Sequence, residues 1–142
     1  TLLDTRLSLL ANYAGIKHLN RLDQVTAKME CQQKNIQDGI LCDINGNVIE
    51  TSVANVFCLL HGQWITPDLT FSGVNGVMRQ FLIERMEKRG NAITILQLNK
   101  NQLNQVTAAV VCNSLMGAVA VGQLDGHELA LAPCKELIQC CK

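Results

Sequence analysis

The sequence predicts one α+β domain. Of its 142 residues, 48% are hydrophobic and 17% are charged, which is typical of a globular chain with a sizeable core. Segments with strand and turn signals mix with segments of helical period, without strict β-α-β alternation. The 12 basic and 12 acidic residues cancel, so the composition argues against nucleic-acid or membrane-surface partners.

The seven cysteines are expected to be reduced. Their number is odd, no Cys-x-x-Cys pair occurs, and several lie in apolar runs, which favours buried thiols in a cytoplasmic protein over a disulfide framework. The histidines lack the spacing to cysteines that a zinc site needs, so we expect no metal. No signal peptide is recognised, and a chain that begins at Thr1 is expected to be a piece of a longer protein.

The first predicted helix covers residues 18–34 and follows a polar opening segment. Its apolar positions recur at helical spacing and give an amphipathic helix: Leu19, Leu22, Val25 and Met29. Residues 39–66 hold apolar runs divided by Asn45-Gly46, a strong hairpin signal, and by a second turn at 61–63. This pattern predicts three or four antiparallel strands.

A glycine-rich loop, "SGVNGVMR", is predicted to open a second helix. Met78, Leu82 and Met86 line one face of that helix, and Gly90 stands where a helix C-cap belongs. The stretch 106–124 is uncharged, but polar residues interrupt it, so it is interpreted as two buried strands and a turn rather than a membrane span.

The remaining elements are predicted from short local signals. They are a strand at 92–98, a short helix at 99–106 with Asn99 as N-cap and Gln102 in capping-box position, a turn at Asp125-Gly126 and a terminal helix at 132–142.

Three features suggest chemistry. Lys17 precedes a helix, Glu50 ends a hairpin strand among apolar neighbours, and the loop before the second helix presents backbone amides that suit an anion. Taken singly, a solvated lysine, an exposed strand end and an ordinary turn are the commoner explanations. Together, an amine, an acid and an anion cradle are the minimum for binding pyridoxal phosphate.

Four segments carry a specific resemblance: "GIKHLNRLDQV", "GNVIETSVANVF", "TPDLTFSGVNGVMRQ" and "VVCNSLMGAVAV". In order and spacing, they resemble the larger, C-terminal domain of fold-type IV pyridoxal-phosphate enzymes, and most closely the aminodeoxychorismate lyases. The resemblance implies the D-amino-acid aminotransferase-like fold, a mixed or antiparallel pseudo-barrel sheet with flanking helices over residues 1–142. It also implies a smaller N-terminal domain outside this chain, which contributes an arginine to the cofactor phosphate.

The same resemblance implies the roles of eight residues. Lys17 forms the imine with the cofactor and later moves protons, while Glu50 keeps the pyridine nitrogen protonated. The amides of Gly76, Val77 and Met78 match the phosphate-binding loop. A second turn on the phosphate side matches Asn113, Ser114 and Leu115, where Ser114 offers a hydroxyl and Leu115 only its backbone amide.

The implied reaction is conversion of 4-amino-4-deoxychorismate to 4-aminobenzoate and pyruvate in folate synthesis, by a cytoplasmic homodimer. An aminotransferase for D-amino acids or branched-chain amino acids needs the same cofactor residues. "KHLNRL" favours the lyase, because branched-chain aminotransferases have a tyrosine shortly after the lysine and D-amino-acid aminotransferases usually have an apolar residue where Arg21 stands. A non-catalytic fragment is the third possibility.

Overall fold

The computed structural model describes residues 1–141. The strands are β1 (Leu2–Leu7), β2 (Ile40–Asp43), β3 (Asn47–Thr51), β4 (Asn55–Leu60), β5 (Gln63–Pro67), β6 (Thr94–Leu96), β7 (Leu98–Asn99), β8 (Val106–Asn113), β9 (Gly117–Val121), β10 (Gln123–Leu124) and β11 (His127–Glu128). The α-helices are α1 (Leu22–Gln33), α2 (Val77–Lys88) and α3 (Cys134–Gln139), and a short 3-10 helix covers Lys100–Gln105.

Two sheets form the body of the fold. One has four strands in the order β1-β2-β3-β7, and the other has five in the order β6-β5-β4-β8-β9, while β10 and β11 form a separate hairpin. Most neighbours are antiparallel, but β1 pairs with β2 and β5 pairs with β6 in parallel. The predicted α+β class with a mixed sheet is confirmed.

Local turn and cap signals predicted the structure well. Two residue pairs have positive φ at both positions, which suits tight hairpin turns. The φ values are 50° for His61 and 79° for Gly62, and 48° for Asp125 and 81° for Gly126. Asn99 and Gln102 form a reciprocal capping box at the start of the 3-10 helix, as predicted. Residues 106–124 form β8, β9 and β10, and in the described part of the chain no helix has the length and apolarity that a membrane span requires.

Long-range pairings were not predicted. The segment predicted to be a polar opening contains β1, in which Leu3 and Leu7 are buried. The partner of this strand is β2, which begins at Ile40. The single strand predicted at 92–98 is divided, because β6 joins the five-stranded sheet and β7 joins the four-stranded one. Here the chain passes from one sheet to the other.

The predicted apolar face of α1 was wrong. Leu22, Val25 and Met29 are 70%, 53% and 55% exposed, and the helix is shorter than predicted. Ala27 and Cys31 are the buried residues, and they pack in a cluster with side chains of β1 and β2. Both sets have helical spacing, and the smaller side chains allow the helix to lie close to the sheet.

Helix α2 packs as its pattern predicted. Leu82 and Met86 are fully buried in a cluster with Phe57, Trp64 and residues of α3, and Gly90 follows the helix end with a φ of 80°. Burial of one such side chain stabilises the fold by about 1.5–3 kcal/mol. All seven cysteines are free thiols, and six of them are buried, which confirms the predicted burial for these six.

Candidate active site

One cleft of about 470 Å³ brings the predicted site residues together. Its wall is formed by the segment before α1, the end of β3, the loop before α2 and the turn between β8 and β9. All eight residues singled out from the sequence line it: Lys17, Glu50, Gly76, Val77, Met78, Asn113, Ser114 and Leu115. The four segments that carry the resemblance therefore meet at a single place in the fold.

Lys17 lies on the exposed wall of this cleft, two residues after a backbone bridge. The N–H of Gly15 donates to the carbonyl of Gly73 over 2.9 Å, and the N–H of Asn75 donates to the carbonyl of Gly15 over 3.0 Å. These bonds form an isolated parallel bridge between Gly15 and Val74. The bridge fixes the backbone that carries Lys17 against the loop before α2.

Glu50 is buried, with 3% of its surface exposed, so the alternative of an exposed strand end is wrong. Its Oε2 accepts a hydrogen bond of 2.9 Å from the N–H of Val74, and its Oε1 accepts one of 3.3 Å from Nε2 of Gln24. Burial raises the pKa of Glu50, although these hydrogen bonds and the charges of Arg21 and Lys17 oppose the shift. Among the described residues Glu50 forms no ion pair.

The start of α2 offers unpaired amides. The N–H groups of Val77 and Met78 have no hydrogen-bond partner in the described residues, as is usual for the first turn of a helix. The N–H of Gly76 is different, because it donates to the carbonyl of Val74 over 3.0 Å. Two of the three amides predicted for phosphate binding are therefore available, and that of Gly76 is not.

Glycine at position 76 is required by a close neighbour. A Cβ there would overlap Oδ1 of Asn55, whose Nδ2 donates to the carbonyl of Val74 over 2.7 Å. The loop before α2 is thus held from β3 by Glu50 and from β4 by Asn55. A larger residue at position 76 would displace the loop that presents the two free amides.

The turn between β8 and β9 differs from the expectation in one residue. Oδ1 of Asn113 accepts hydrogen bonds of 2.9 Å from the N–H groups of both Leu115 and Met116. The amide of Leu115 is therefore used within the turn and is not free for a phosphate. Ser114 is exposed on the cleft wall, and its hydroxyl has no partner in residues 1–141.

Sequence reasoning missed Arg79, whose side chain is 4% exposed. Its guanidinium donates to Oγ1 of Thr66 over 3.1 Å, to Oδ1 of Asn75 over 2.8 Å and to the carbonyl of Pro67 over 2.9 Å. The sequence could have indicated a special role for this residue, because a cation in the first turn of a helix interacts unfavourably with the helix dipole. Asn55, a polar residue at the start of a buried strand, gave a similar signal.

The geometry fits pyridoxal phosphate. A buried carboxylate without a cationic partner suits a protonated ring nitrogen, and two free amides at a helix N-terminus suit a phosphate. The model of the family described as "Amino-transferase class IV" matches residues 2–124. The chain belongs to this family.

Individual relatives agree with the resemblance found in the sequence. The chain is 34% identical to an aminodeoxychorismate lyase of Vibrio harveyi over 125 residues, which cover 88% of this chain and 46% of the relative. The crystal structure of 4-amino-4-deoxychorismate lyase from Pseudomonas aeruginosa is similar, with a TM-score of 0.89 and 34% identity over 97% of this chain and 51% of that one.

A solved structure of lower sequence identity shares the fold. An aminotransferase from Brucella abortus, bound to the cofactor PLP, has a TM-score of 0.74 at 21% identity, over 82% of this chain and 43% of that one. This chain spans about half the length of the relatives that it matches. The predicted resemblance to fold-type IV enzymes, and to the lyases among them, is confirmed.

Proposed function

We propose that the protein containing this chain is a pyridoxal-phosphate-dependent lyase that converts 4-amino-4-deoxychorismate to 4-aminobenzoate and pyruvate in folate synthesis. Residues 1–142 would form its C-terminal cofactor-binding domain, with a smaller N-terminal domain outside this chain. One observation carries the proposal: Lys17, the buried Glu50 and the free amides of Val77 and Met78 line the same cleft. The similarity to lyases from two bacteria supports it.

Each wall of the cleft would hold one part of the cofactor. Lys17 would attach it covalently through Nζ, and Glu50 would accept a hydrogen bond from the protonated ring nitrogen. The amides of Val77 and Met78, with the hydroxyl of Ser114, would bind the phosphate. When bound, pyridoxal phosphate supplies an electron sink for negative charge at the substrate carbon that bears the amino group.

The residues of this chain would then perform two tasks. Lys17, once the substrate amine has replaced it, would remove the proton from the carbon bearing that amine, because it stays beside this carbon. Glu50 would remain ionised against the ring nitrogen, since a charged partner offsets the cost of burying its carboxylate. The C–O bond to the enolpyruvyl group would then break with its electron pair on the oxygen, which would take up the proton held by Lys17. The group would leave as the enol of pyruvate, and the ring would become aromatic.

The direct test is turnover by the full-length protein. Mixed with 4-amino-4-deoxychorismate, it should release 4-aminobenzoate and pyruvate in equal amounts, and a Lys17→Ala variant should not. An exposed lysine of α2, Lys88, offers a matched control, because Lys88→Ala should leave turnover unchanged. Absence of both products from the unmodified protein would contradict the proposal.

An aminotransferase is the second candidate, because an aminotransferase bound to PLP shares the fold. Both activities would use Lys17, Glu50 and the helix amides, so the cofactor site does not discriminate between them. Arg21, which lines the cleft and whose charge acts on Glu50, is the position at which the sequence favours the lyase. Formation of 2-oxo acids from D-alanine or leucine, without 4-aminobenzoate, would favour the aminotransferase. Failure of both assays would favour a non-catalytic domain.

The assembly and the location are also proposals. By resemblance to its family, the full-length protein is expected to be a homodimer in the cytoplasm. The exposed apolar side chains of Leu22, Val25 and Met29 on α1 agree with a surface that a partner covers.

A further inference from the structure

Arg79 occupies a position that is unfavourable for a cation. It lies in the first turn of α2, where the helix dipole disfavours positive charge, and burial lowers the pKa of its guanidinium. Among the described residues it forms no ion pair. A buried charge is costly unless hydrogen bonds and nearby charge offset the lost hydration. The hydrogen bonds of Arg79 therefore offset this cost, and their partners indicate the role of the residue.

Those hydrogen bonds join the helix to two other segments. Nε and Nη2 hold the end of β5 through Thr66 and Pro67, and Nη1 holds the side chain of Asn75 in the loop. The hydroxyl of Thr66 in turn donates to the carbonyl of Val56 over 2.9 Å, so this acceptor of Arg79 is itself held by β4. The planar fork of arginine suits three acceptors in different directions, and lysine does not match it.

Asn75 connects Arg79 to the backbone segment that carries Lys17. Its side chain is held by Arg79, while its backbone N–H donates to the carbonyl of Gly15, two residues before Lys17. The free amides of Val77 and Met78 follow Asn75 closely on the other side. We propose that Arg79 is a positioning residue, which through Asn75 sets Lys17 at a fixed distance from the phosphate-binding amides. This proposal rests on the proposed function of the cleft.

A purely structural role for Arg79 predicts different behaviour. If Arg79 only joined α2 to β5, its hydrogen bonds to Thr66 and Pro67 would matter and the one to Asn75 would not. Asn75→Ala removes the acceptor of Nη1 but leaves both β5 contacts, whereas Thr66→Val removes a β5 contact and leaves Asn75 in place. Arg85→Met is the control for α2 itself, because Arg85 is exposed on the same helix.

The first measurement is hydrogen exchange of the full-length protein without cofactor, at the amides of Gly15 and Asn75. We expect roughly tenfold to hundredfold faster exchange in Arg79→Met and Asn75→Ala, the size expected when a hydrogen bond to a charged group is lost. Arg79→Lys should lie between these variants and the unmodified protein. Thr66→Val and Arg85→Met should leave both amides unchanged.

The second measurement is the rate at which added pyridoxal phosphate becomes trapped on Lys17 by borohydride. The trapping rate should fall in Arg79→Met and Asn75→Ala, the variants in which hydrogen exchange is expected to be faster. Unchanged exchange and trapping in Asn75→Ala would overturn the proposal, even if Arg79→Met fails to fold. If the unmodified protein traps no cofactor on Lys17, the proposed function fails, whereas the exchange result still decides whether Arg79 holds the bridge.

Discussion

The N–H of Val74 donates to Oε2 of Glu50 over 2.9 Å. This bond joins the acid proposed for the ring nitrogen to the loop that leads into the amides proposed to bind the phosphate. Nε2 of Gln24 holds the other carboxylate oxygen over 3.3 Å, so the carboxylate is fixed from α1 and from the loop. The two ends of the cofactor would therefore be positioned by a single connected set of hydrogen bonds.

The first prediction concerns that carboxylate. Glu50→Gln should slow turnover of the full-length protein roughly 100-fold or more while still allowing attachment of the cofactor to Lys17, because a neutral amide cannot stabilise the protonated ring nitrogen. Turnover and borohydride trapping, measured side by side, check both parts. Glu84→Gln, an exposed change on α2, is the control. Normal turnover by the Glu50→Gln protein would show that this acid has no catalytic part.

The second prediction concerns Lys17. Borohydride reduction of the full-length protein with bound pyridoxal phosphate, followed by peptide mapping, should place the pyridoxyl label on Lys17. The reason is its position on the cleft wall, held by the bridge between Gly15 and Val74. Lys17→Ala should remove the label altogether. A label on Lys28, Lys34 or any other lysine would contradict this assignment.

The third prediction concerns stability in acid. The carboxylate of Glu30 accepts hydrogen bonds from the N–H groups of Asp4 and Thr5 and pairs with Lys34, tying α1 to β1. Burial alone would raise its pKa, but these contacts outweigh it and lower the pKa from 4.5 to about 2. The contribution of Glu30 to stability is therefore complete above pH 4.5 and is lost as the pH falls through about 2.

Glu30→Gln tests this linkage. At pH 7 the substitution should reduce the free energy of unfolding by about 1–3 kcal/mol, the value of hydrogen bonds to a charged group. The difference from the unmodified protein should shrink between pH 4.5 and 2. Chemical denaturation at several pH values measures it. Asp4→Asn is the control, because the side chain of Asp4 is 88% exposed and such ion pairs contribute at most about 1 kcal/mol. A difference that stays constant with pH would refute the linkage.

The fourth prediction is that the full-length protein sediments as a dimer at micromolar concentration. The resemblance to its family motivates it, and the apolar residues Leu22, Val25 and Met29 on the surface of α1 agree with it. Analytical ultracentrifugation over a range of concentrations is the measurement. Sedimentation as a monomer alone, throughout that range, would count against the dimer.

Features encoded by neighbouring residues were predictable, and those encoded by distant contacts were not. The capping box of Asn99 and the turn at Asp125-Gly126 depend on a few consecutive residues, and both were predicted. Strand β1 is stabilised by pairing with β2, more than 30 positions away in sequence. Its own residues alone did not predict a strand, and the segment was interpreted as a polar opening. For α1, two sets of residues had helical spacing, and only the packing against β1 decides between them.

The same distinction holds within the candidate site. Resemblance placed eight residues on one cleft, and the structure brings all eight there. Whether an amide is free depends on local backbone geometry, which the sequence does not reveal: Gly76 donates to Val74, and Leu115 donates to Asn113. Arg79 was missed because its role depends on acceptors from β5 and the loop.

The last prediction concerns the 142-residue chain by itself. By resemblance, we expect an N-terminal domain outside this chain to supply an arginine to the cofactor phosphate and a second wall of the cleft. In the chain alone the cleft is open: Lys17 is exposed and Leu115 is 98% exposed. Open clefts admit water, and electrostatic stabilisation of a reacting centre is strongest where water is excluded.

The expected size of the loss follows from the phosphate contact. One charge-assisted hydrogen bond contributes about 1.5–3 kcal/mol, so its absence should weaken cofactor binding about tenfold to hundredfold. We therefore expect the isolated chain to fold, to bind pyridoxal phosphate weakly or not at all, and to produce no 4-aminobenzoate. Circular dichroism would verify folding, and titration with the cofactor, followed by absorbance, would measure binding. Saturation at low micromolar cofactor, with product formed as fast as by the full-length protein, would show that this domain is sufficient for catalysis.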